Sequence, residues 1–369
     1  MMLYITYVNL NAKGYVGIKK KVAAQCRVFQ KEFGTVYCTM FTGQMVYLLQ
    51  EDKVIDKEFA ITLKECNEIL LQWIEKYNVE RTYIRYHISD MWFVDFLKEL
   101  KSRNIISILE FPTIPYDGEN WIRRPEEDHY YREQLCKYID CCTTFANYKD
   151  VFGIPCISMI NGIDLEQNKV NSRKPHKQDI TLIAVATMRR EHGYERIIQG
   201  IQMYYKAGGV RKVYLKLVGD GSQISYYERL VKEFELEEYI SFYGIVQGKE
   251  FDKIYEEADL GIGALGTYKS GVNEGAGIKV FEYCARGLPI IYDNMERILD
   301  KQYFAMKVVS DASPIDIRKV INFYDSLQDK DYITDMRNYA IKNLSWDKVL
   351  EPVVDYYKSK KVIVEEDVV

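Results

Sequence analysis

The chain has 369 residues, a formal net charge of −4, and 47% hydrophobic and 28% charged residues. That is long enough for two domains with separate cores, and neither a disordered nor a fibrous composition. The balance of charge argues against a dominant nucleic-acid-binding face, and no apolar run is long enough to span a bilayer. Eight cysteines occur with no CxxC and no Cys/His spacing suited to zinc, so they read as reduced thiols of a cytosolic protein. The first strand pattern, LYITYV, has no charged lead or cleavage site, which also predicts a cytoplasmic location.

The first half alternates apolar strands with helical patterns, as βαβ units do. Residues 3–8 form a strand, and 11–17 a loop carrying Gly14 and Gly17. A helix over 18–33 and a strand over 35–41 follow, and VYLLQEDKVIDKEFA reads as a hairpin. Helix 63–77 leads to strand 81–86, and helix 91–101 to strand 105–109. In a right-handed parallel sheet the loops leaving strand carboxyl ends line the ligand crevice, which places 9–17, 87–90 and 110–119 along one edge.

His87, just after a strand, is a candidate catalytic group or a satisfied structural histidine. The loop EFPTIPYDGE has its path fixed by two prolines. It presents Glu110 as a second candidate catalytic group and Thr113, Tyr116 and Glu119 as acceptor-side candidates; a purely structural proline-rich loop is the other reading. Lys19, Lys20, Lys21 and Arg27 form either a solvated basic face or a contact for an anionic acceptor or headgroup.

After a helical pattern over 127–139, residues 141–145 and 156–160 read as the last strands of the first domain. The turn Asn161-Gly162-Ile163-Asp164 and the aperiodic polar run 166–178 mark a boundary. The expected domains are therefore 1–164 and 165–344, with 345–369 as a final helical segment. In the second, strand 182–186 opens into a loop with Thr187, Arg189, Arg190 and His192 before helix 194–206. An arginine- and histidine-bearing loop at a helix start can hold a diphosphate. Strand 213–218 leads to Gly219, and strand 240–243 to Ile245. Helix 250–258 and strand 260–265 precede a lip at 266–271 that is expected to be mobile. Asp329-Lys330-Asp331 lies between two late helical patterns and reads as a solvated turn rather than a metal site.

The most informative stretch runs from Asn273 to Ile291, NEGAGIKVFEYCARGLPII. Glu274, Gly275, Ala276 and Gly277 form a loop relieved by glycine. Ile278 to Arg286 has helical spacing that buries Ile278, Phe281 and Ala285, with Gly287 and Pro289 as stop signals. Unpaired N–H groups at the helix start suit a pyrophosphate. Glu282 and Glu274 can each accept hydrogen bonds from a vicinal diol, the first on a ribose and the second on a sugar. An ordinary helix with an exposed Lys279/Glu282 pair is the plain alternative.

Glu274 and Glu282, with seven residues between them and followed by ARGLPII, resemble the donor-site signature of retaining GT-B glycosyltransferases of family 4. PT-x-PY at 112–116 is similar to a loop in bacterial capsule and exopolysaccharide transferases. The resemblance implies an α/β protein with two Rossmann-like domains facing each other across a cleft. The first would take the acceptor and the second the donor, with a C-terminal helix returning to the first.

It further implies transfer, with retention, from a UDP- or GDP-linked sugar to a saccharide or lipid-linked oligosaccharide. Such an enzyme works in surface polysaccharide assembly, without a metal or other cofactor, at most touching the inner membrane. By the same resemblance Gly14 and Gly17 lie near the donor phosphates, Gly219 lines the nucleotide pocket, and Ile245 sits where the backbone meets the base. Thr187 and His192 stand where the family pattern has arginine and lysine. Arg189, Arg190 or Lys279 is then left to supply the second phosphate contact. A non-catalytic partner subunit, or an epimerase or phosphorylase of the same architecture, are the other function classes considered.

Overall fold

The computed structural model describes residues 1–12, 15–114, 125–171, 178–269, 277–293 and 299–360. It divides into two compact units, Met1–Ile160 with Val349–Val369, and Asn161–Lys348. Among the described residues no helix is long and apolar enough to cross a membrane.

The first unit is built on a nine-stranded sheet. Its parallel centre is β2 (Val36–Phe41), β1 (Met2–Ile5), β5 (Arg81–Arg85), β6 (Ile106–Phe111), β7 (Cys142–Thr144) and β9 (Ile154–Ser158) in that spatial order. The hairpin β3 (Met45–Gln50) and β4 (Lys53–Phe59) extends one edge antiparallel to β2, and the two-residue β8 (Asp150–Val151) closes the other. All four residues of β1 are buried, because helices cover both faces of the central strands. On one face Leu3, Ile5 and Leu109 pack with α2 (Leu63–Lys76) and α3 (Met91–Ser102) through Leu70, Trp73, Phe96 and Leu97. On the other, Tyr83 meets Phe29 of α1 (Val16–Phe33), which meets Tyr357 of the last helix, α11 (Trp346–Ser359). The Tyr357 hydroxyl donates to the Thr82 carbonyl at 2.6 Å, fixing the end of α11 on this sheet.

Thr62 and Glu65 cap α2 reciprocally, and Asp90 caps α3 through the Phe93 amide. The helical pattern at 127–139 breaks: α4 covers only Pro125–Arg132, and a short 3₁₀ turn follows at Leu135–Lys137. Buried Asp128 and Arg132, both polar, are held inside by partners that the periodicity does not reveal.

The second unit holds six parallel strands in the order β12 (Ile240–Gly244), β11 (Val213–Val218), β10 (Ile180–Val185), β13 (Leu260–Ile262), β14 (Ile290–Tyr292), β15 (Ala305–Lys307). One face packs on α5 (Glu195–Lys206), α6 (Ile224–Glu233) and α9 (Ile317–Asp325), with Ile197, Ile201, Tyr227 and Val320 in the core. α7 (Gly248–Glu256) and α8 (Ile278–Arg286) carry Tyr255 and Tyr283, whose ring centroids are 5.9 Å apart. The Tyr283 hydroxyl accepts from the Val185 amide at 3.0 Å, which ties α8 to β10. α8 stops at Gly287, left-handed at φ 76°. α10 (Tyr332–Tyr339) precedes α11, and Asp329-Lys330-Asp331 forms the turn before it.

Candidate functional site

In the second unit, the carboxyl ends of β10, β11 and β12 and the start of α8 carry the sequence candidates. Thr187, Arg189 and Arg190 are exposed on the loop after β10, and His192 is half-buried. This loop is stitched to the one after β11: the Met188 amide donates to the Asp220 carbonyl at 2.7 Å, and the Gln223 amide to the Met188 carbonyl at 3.1 Å. Gly219 donates its amide to the Gly244 carbonyl at 2.7 Å, which joins the β11 and β12 ends, and Ile245 beyond is 73% exposed.

Gly193 lies left-handed at φ 63°, and a Cβ there would sit 2.6 Å from the Gly266 amide nitrogen. The chain therefore brings the loop after β13 against the histidine loop, and the Leu265 amide donates to the His192 carbonyl at 2.9 Å. The lip after β13 is not loose where it is described. Thr267 is buried, its amide and hydroxyl donating to the Asp293 carboxylate at 2.9 and 2.6 Å, and the Lys269 ammonium pairs with Glu195. Arg196, also buried, holds the same region through the Leu265, Val309 and Ser313 carbonyls. The expectation of a mobile lip is corrected for these residues.

His192 and Lys279 meet on one residue that the sequence reading passed over. The His192 ring stacks on Tyr194 with centroids 5.6 Å apart, and the Lys279 ammonium donates to the Tyr194 hydroxyl at 3.1 Å. In the sequence Tyr194 stands only as the first residue of the helix expected over 194–206, two positions after His192. Burial, with Lys279 and Arg189 nearby, pushes the His192 imidazole down to about 3. It is neutral at physiological pH. Its Nδ1 accepts the Arg189 amide at 3.0 Å, so the ring proton sits on Nε2, a hydrogen-bond donor. A fixed ammonium, a neutral N–H donor and the start of a nine-residue helix thus lie together, an arrangement that attracts anionic oxygen.

Gly277 is the residue before α8, and Ile278 in its first turn is 49% exposed rather than buried; Phe281 and Ala285 are fully buried as their spacing predicts. Lys279 and Glu282 are half-buried, and the Tyr255 hydroxyl donates to Glu282 at 3.4 Å. Glu274, Gly275 and Ala276 lie outside the described residues.

The first unit carries the other candidates. Gly14, Tyr116 and Glu119 lie outside the described residues. Gly17 belongs to the first turn of α1 rather than to a loop, because the helix begins at Val16. Thr113 is exposed just beyond β6. His87 is half-buried, and burial lowers its imidazole while Asp128 opposes that shift. Asp128, missed by sequence, holds this segment by accepting from the Ser89 amide at 2.6 Å and the Tyr86 hydroxyl at 3.0 Å.

Glu110 needs the largest correction. It lies in β6, not in the loop, and has no exposed surface. Gln25 and Tyr83 donate to Oε2 at 2.9 and 3.0 Å, Arg85 donates to Oε1, and the Lys21 ammonium is 3.4 Å from Oε1. Burial alone would raise this carboxyl, but Lys21 and Arg85 more than offset it, so the group stays ionised. With every lone pair engaged and no access to solvent, Glu110 is an anchor for two cations, not an acid–base catalyst.

Residues 166–302 match the model of the family "Glycosyl transferases group 1", a span covering the second-unit site. No curated protein matches the chain. Among solved structures it is similar to a glycosyltransferase from Rickettsia africae, at 13% identity and TM-score 0.65, with 97% of each chain covered. It also resembles Alr3699/HepE of Anabaena, solved in complex with UDP, at 10% identity and TM-score 0.61, over 97% of this chain and 100% of that one. A third is the lipopolysaccharide outer core galactosyltransferase WaaB, at 10% identity and TM-score 0.60, again over 97% and 100%. The chain has the GT-B glycosyltransferase fold.

Proposed function

We propose that the protein transfers a sugar from a nucleotide diphosphate sugar to an acceptor hydroxyl, with retention at the anomeric carbon. The observation that carries this reading is the meeting of His192 and Lys279 on Tyr194, beside the start of α8 and inside the span that matches glycosyl transferases group 1. A diphosphate placed there meets an ammonium, an imidazole N–H and unpaired helix amides at once.

In this reading Lys279 supplies the phosphate contact that Thr187 does not, with Arg189 and Arg190 exposed on the same loop. Glu282, steadied by Tyr255, takes the ribose diol, and Glu274 positions the transferred sugar. Charge building on the leaving diphosphate is met by fixed positive groups and the helix start, so a metal is not called for. A departing phosphate oxygen takes the acceptor proton on the same face. The first unit takes the acceptor, a saccharide or lipid-linked saccharide of surface polysaccharide assembly.

Calorimetry with UDP, GDP and their sugars tests the donor site. One nucleotide series should bind, and Glu282→Ala should weaken it, whereas Glu274→Ala should abolish transfer and spare nucleotide affinity. Equal loss of both in Glu274→Ala, or no binding of any nucleotide, would overturn the assignment.

A further inference from the structure

We propose that Arg85 and Lys21, gathered on Glu110, form an oxyanion subsite of the first unit that takes a phosphoryl or carboxylate group on an acidic acceptor. The word acceptor rests on the transfer reading; the anion site stands on the ion-pair geometry alone.

Arg85 is the last residue of β5 and pairs in register with Glu110 on β6, at the strand ends where parallel sheets place ligands. A guanidinium has five N–H donors in a planar fork suited to oxyanions. Among the described residues Glu110 is the single acceptor for Arg85, which meets its Oε1, and 13% of the Arg85 side chain reaches solvent. Lys21, from α1, approaches the same oxygen at 3.4 Å, also with 13% of its side chain exposed, and its ammonium lies 3.3 Å from the centre of the Phe145 ring.

A guanidinium and a lysine amine that can take up a proton are therefore held side by side, and the group that holds them is fixed from behind. Tyr83 and Gln25 orient Glu110, and the Tyr4 hydroxyl donates to the Gln25 side-chain oxygen at 2.8 Å, so the cluster is preorganised rather than assembled on demand. Fixing cations this way costs free energy: burial pushes the Lys21 ammonium down to about 7, Glu110 opposes that, and Arg85 adds to it. An arriving oxyanion offsets the repulsion between the two heads, and it draws a proton onto Lys21.

That proton gives the site a signature. UDP-saturated protein, with its diphosphate site filled, is titrated calorimetrically with P1,P2-dimethyl diphosphate and, separately, with glucuronate. Neither anion titrates near neutrality. The heat at pH 7.5 is compared in two buffers of different ionisation enthalpy. Binding of either anion should take up about 0.75 proton at pH 7.5 and close to none at pH 5.5, from the position of Lys21 near 7. Diphosphate binding marks a phosphorylated acceptor, and glucuronate binding an acidic sugar.

Arg85→Lys keeps the charge that Glu110 needs for folding but loses the fork, and should weaken the anion at least about tenfold. Lys21→Met should remove the proton uptake. Absence of binding by both anions, or binding unchanged in both variants, overturns the subsite. UDP binding without anion binding leaves the transfer reading standing and this one fallen. Should GDP bind in place of UDP, the GDP-saturated protein is titrated instead; should neither nucleotide bind, the transfer reading falls, and the anion titration is read on the nucleotide-free protein by the same two variants.

Discussion

Lys279 in the first turn of α8 donates to the Tyr194 hydroxyl at 3.1 Å, although 85 residues separate them. The bond fixes an ammonium at the positive end of a helix, where it would otherwise be repelled, and so costs free energy that an anionic ligand returns.

Lys279→Met should weaken UDP or GDP binding by about 10- to 150-fold, the range of a charge-assisted hydrogen bond of about 1.5–3 kcal/mol. The thermal midpoint should rise or stay unchanged, since the repulsion with the helix start is relieved. Calorimetry beside a melting curve checks both. A lower midpoint with intact nucleotide affinity would make Lys279 a structural residue.

His192 should remain neutral across the working pH range. Its folded value of about 3 lies below the ordinary 6.5. Between these values the unfolded chain binds a proton that the folded chain does not. The stability linked to His192 is thus whole above pH 6.5 and is lost as pH falls toward 3. His192→Asn should flatten that acid limb. In NMR spectra the His192 ring carbons should not titrate between pH 5 and 8; a midpoint near 6.5 would contradict the burial argument.

What the sequence showed and what it hid divide along a physical line. The bounds of α8, the stop at Gly287 and the strand β11 follow from periodicity and turn chemistry, which are local. Tyr194 was hidden because its partner Lys279 arrives only through tertiary packing. Glu110 was misplaced because Pro112 draws the eye to a loop, whereas pairing of Arg85 with Glu110 carries β6 as far as Phe111. A carboxylate inside a sheet is invisible to hydrophobic patterning, since the cations that make it tolerable sit on other elements. Six of the candidate residues, Glu274 among them, lie outside the described residues, so the part of the signature that is legible in space is Gly277 to Glu282.

Gly193→Ala tests how closely the two loops must approach. The added methyl meets the Gly266 backbone at 2.6–2.7 Å, and the left-handed φ of 63° costs an alanine about 1–2 kcal/mol in addition. Backbone cannot step aside as a side-chain tip does, so the histidine loop and the loop after β13 should separate. Nucleotide affinity should fall by at least about tenfold and the second unit's melting midpoint by several degrees. Wild-type affinity in this variant would mean that His192 is not held where the ligand needs it.

Glu110→Ala should be the most damaging of these substitutions, and for stability before activity. Removing the carboxylate leaves Arg85 and Lys21 facing each other in a buried site, a loss of about 3–5 kcal/mol for one partner of a buried ion pair. Gln25 and Tyr83 lose their acceptor in the same step. The pH dependence separates this role from catalysis. The folded carboxyl lies below its ordinary 4.5, so the stability it gives is present above that value and is lost as pH falls through the lower folded value. Glu110→Gln keeps the shape but not the charge, and should unfold at lower denaturant across neutral pH with a flatter acid limb. If instead Glu110→Gln melts like the wild type and loses only turnover, the carboxylate acts on substrate, and the anchor reading of the cluster is wrong.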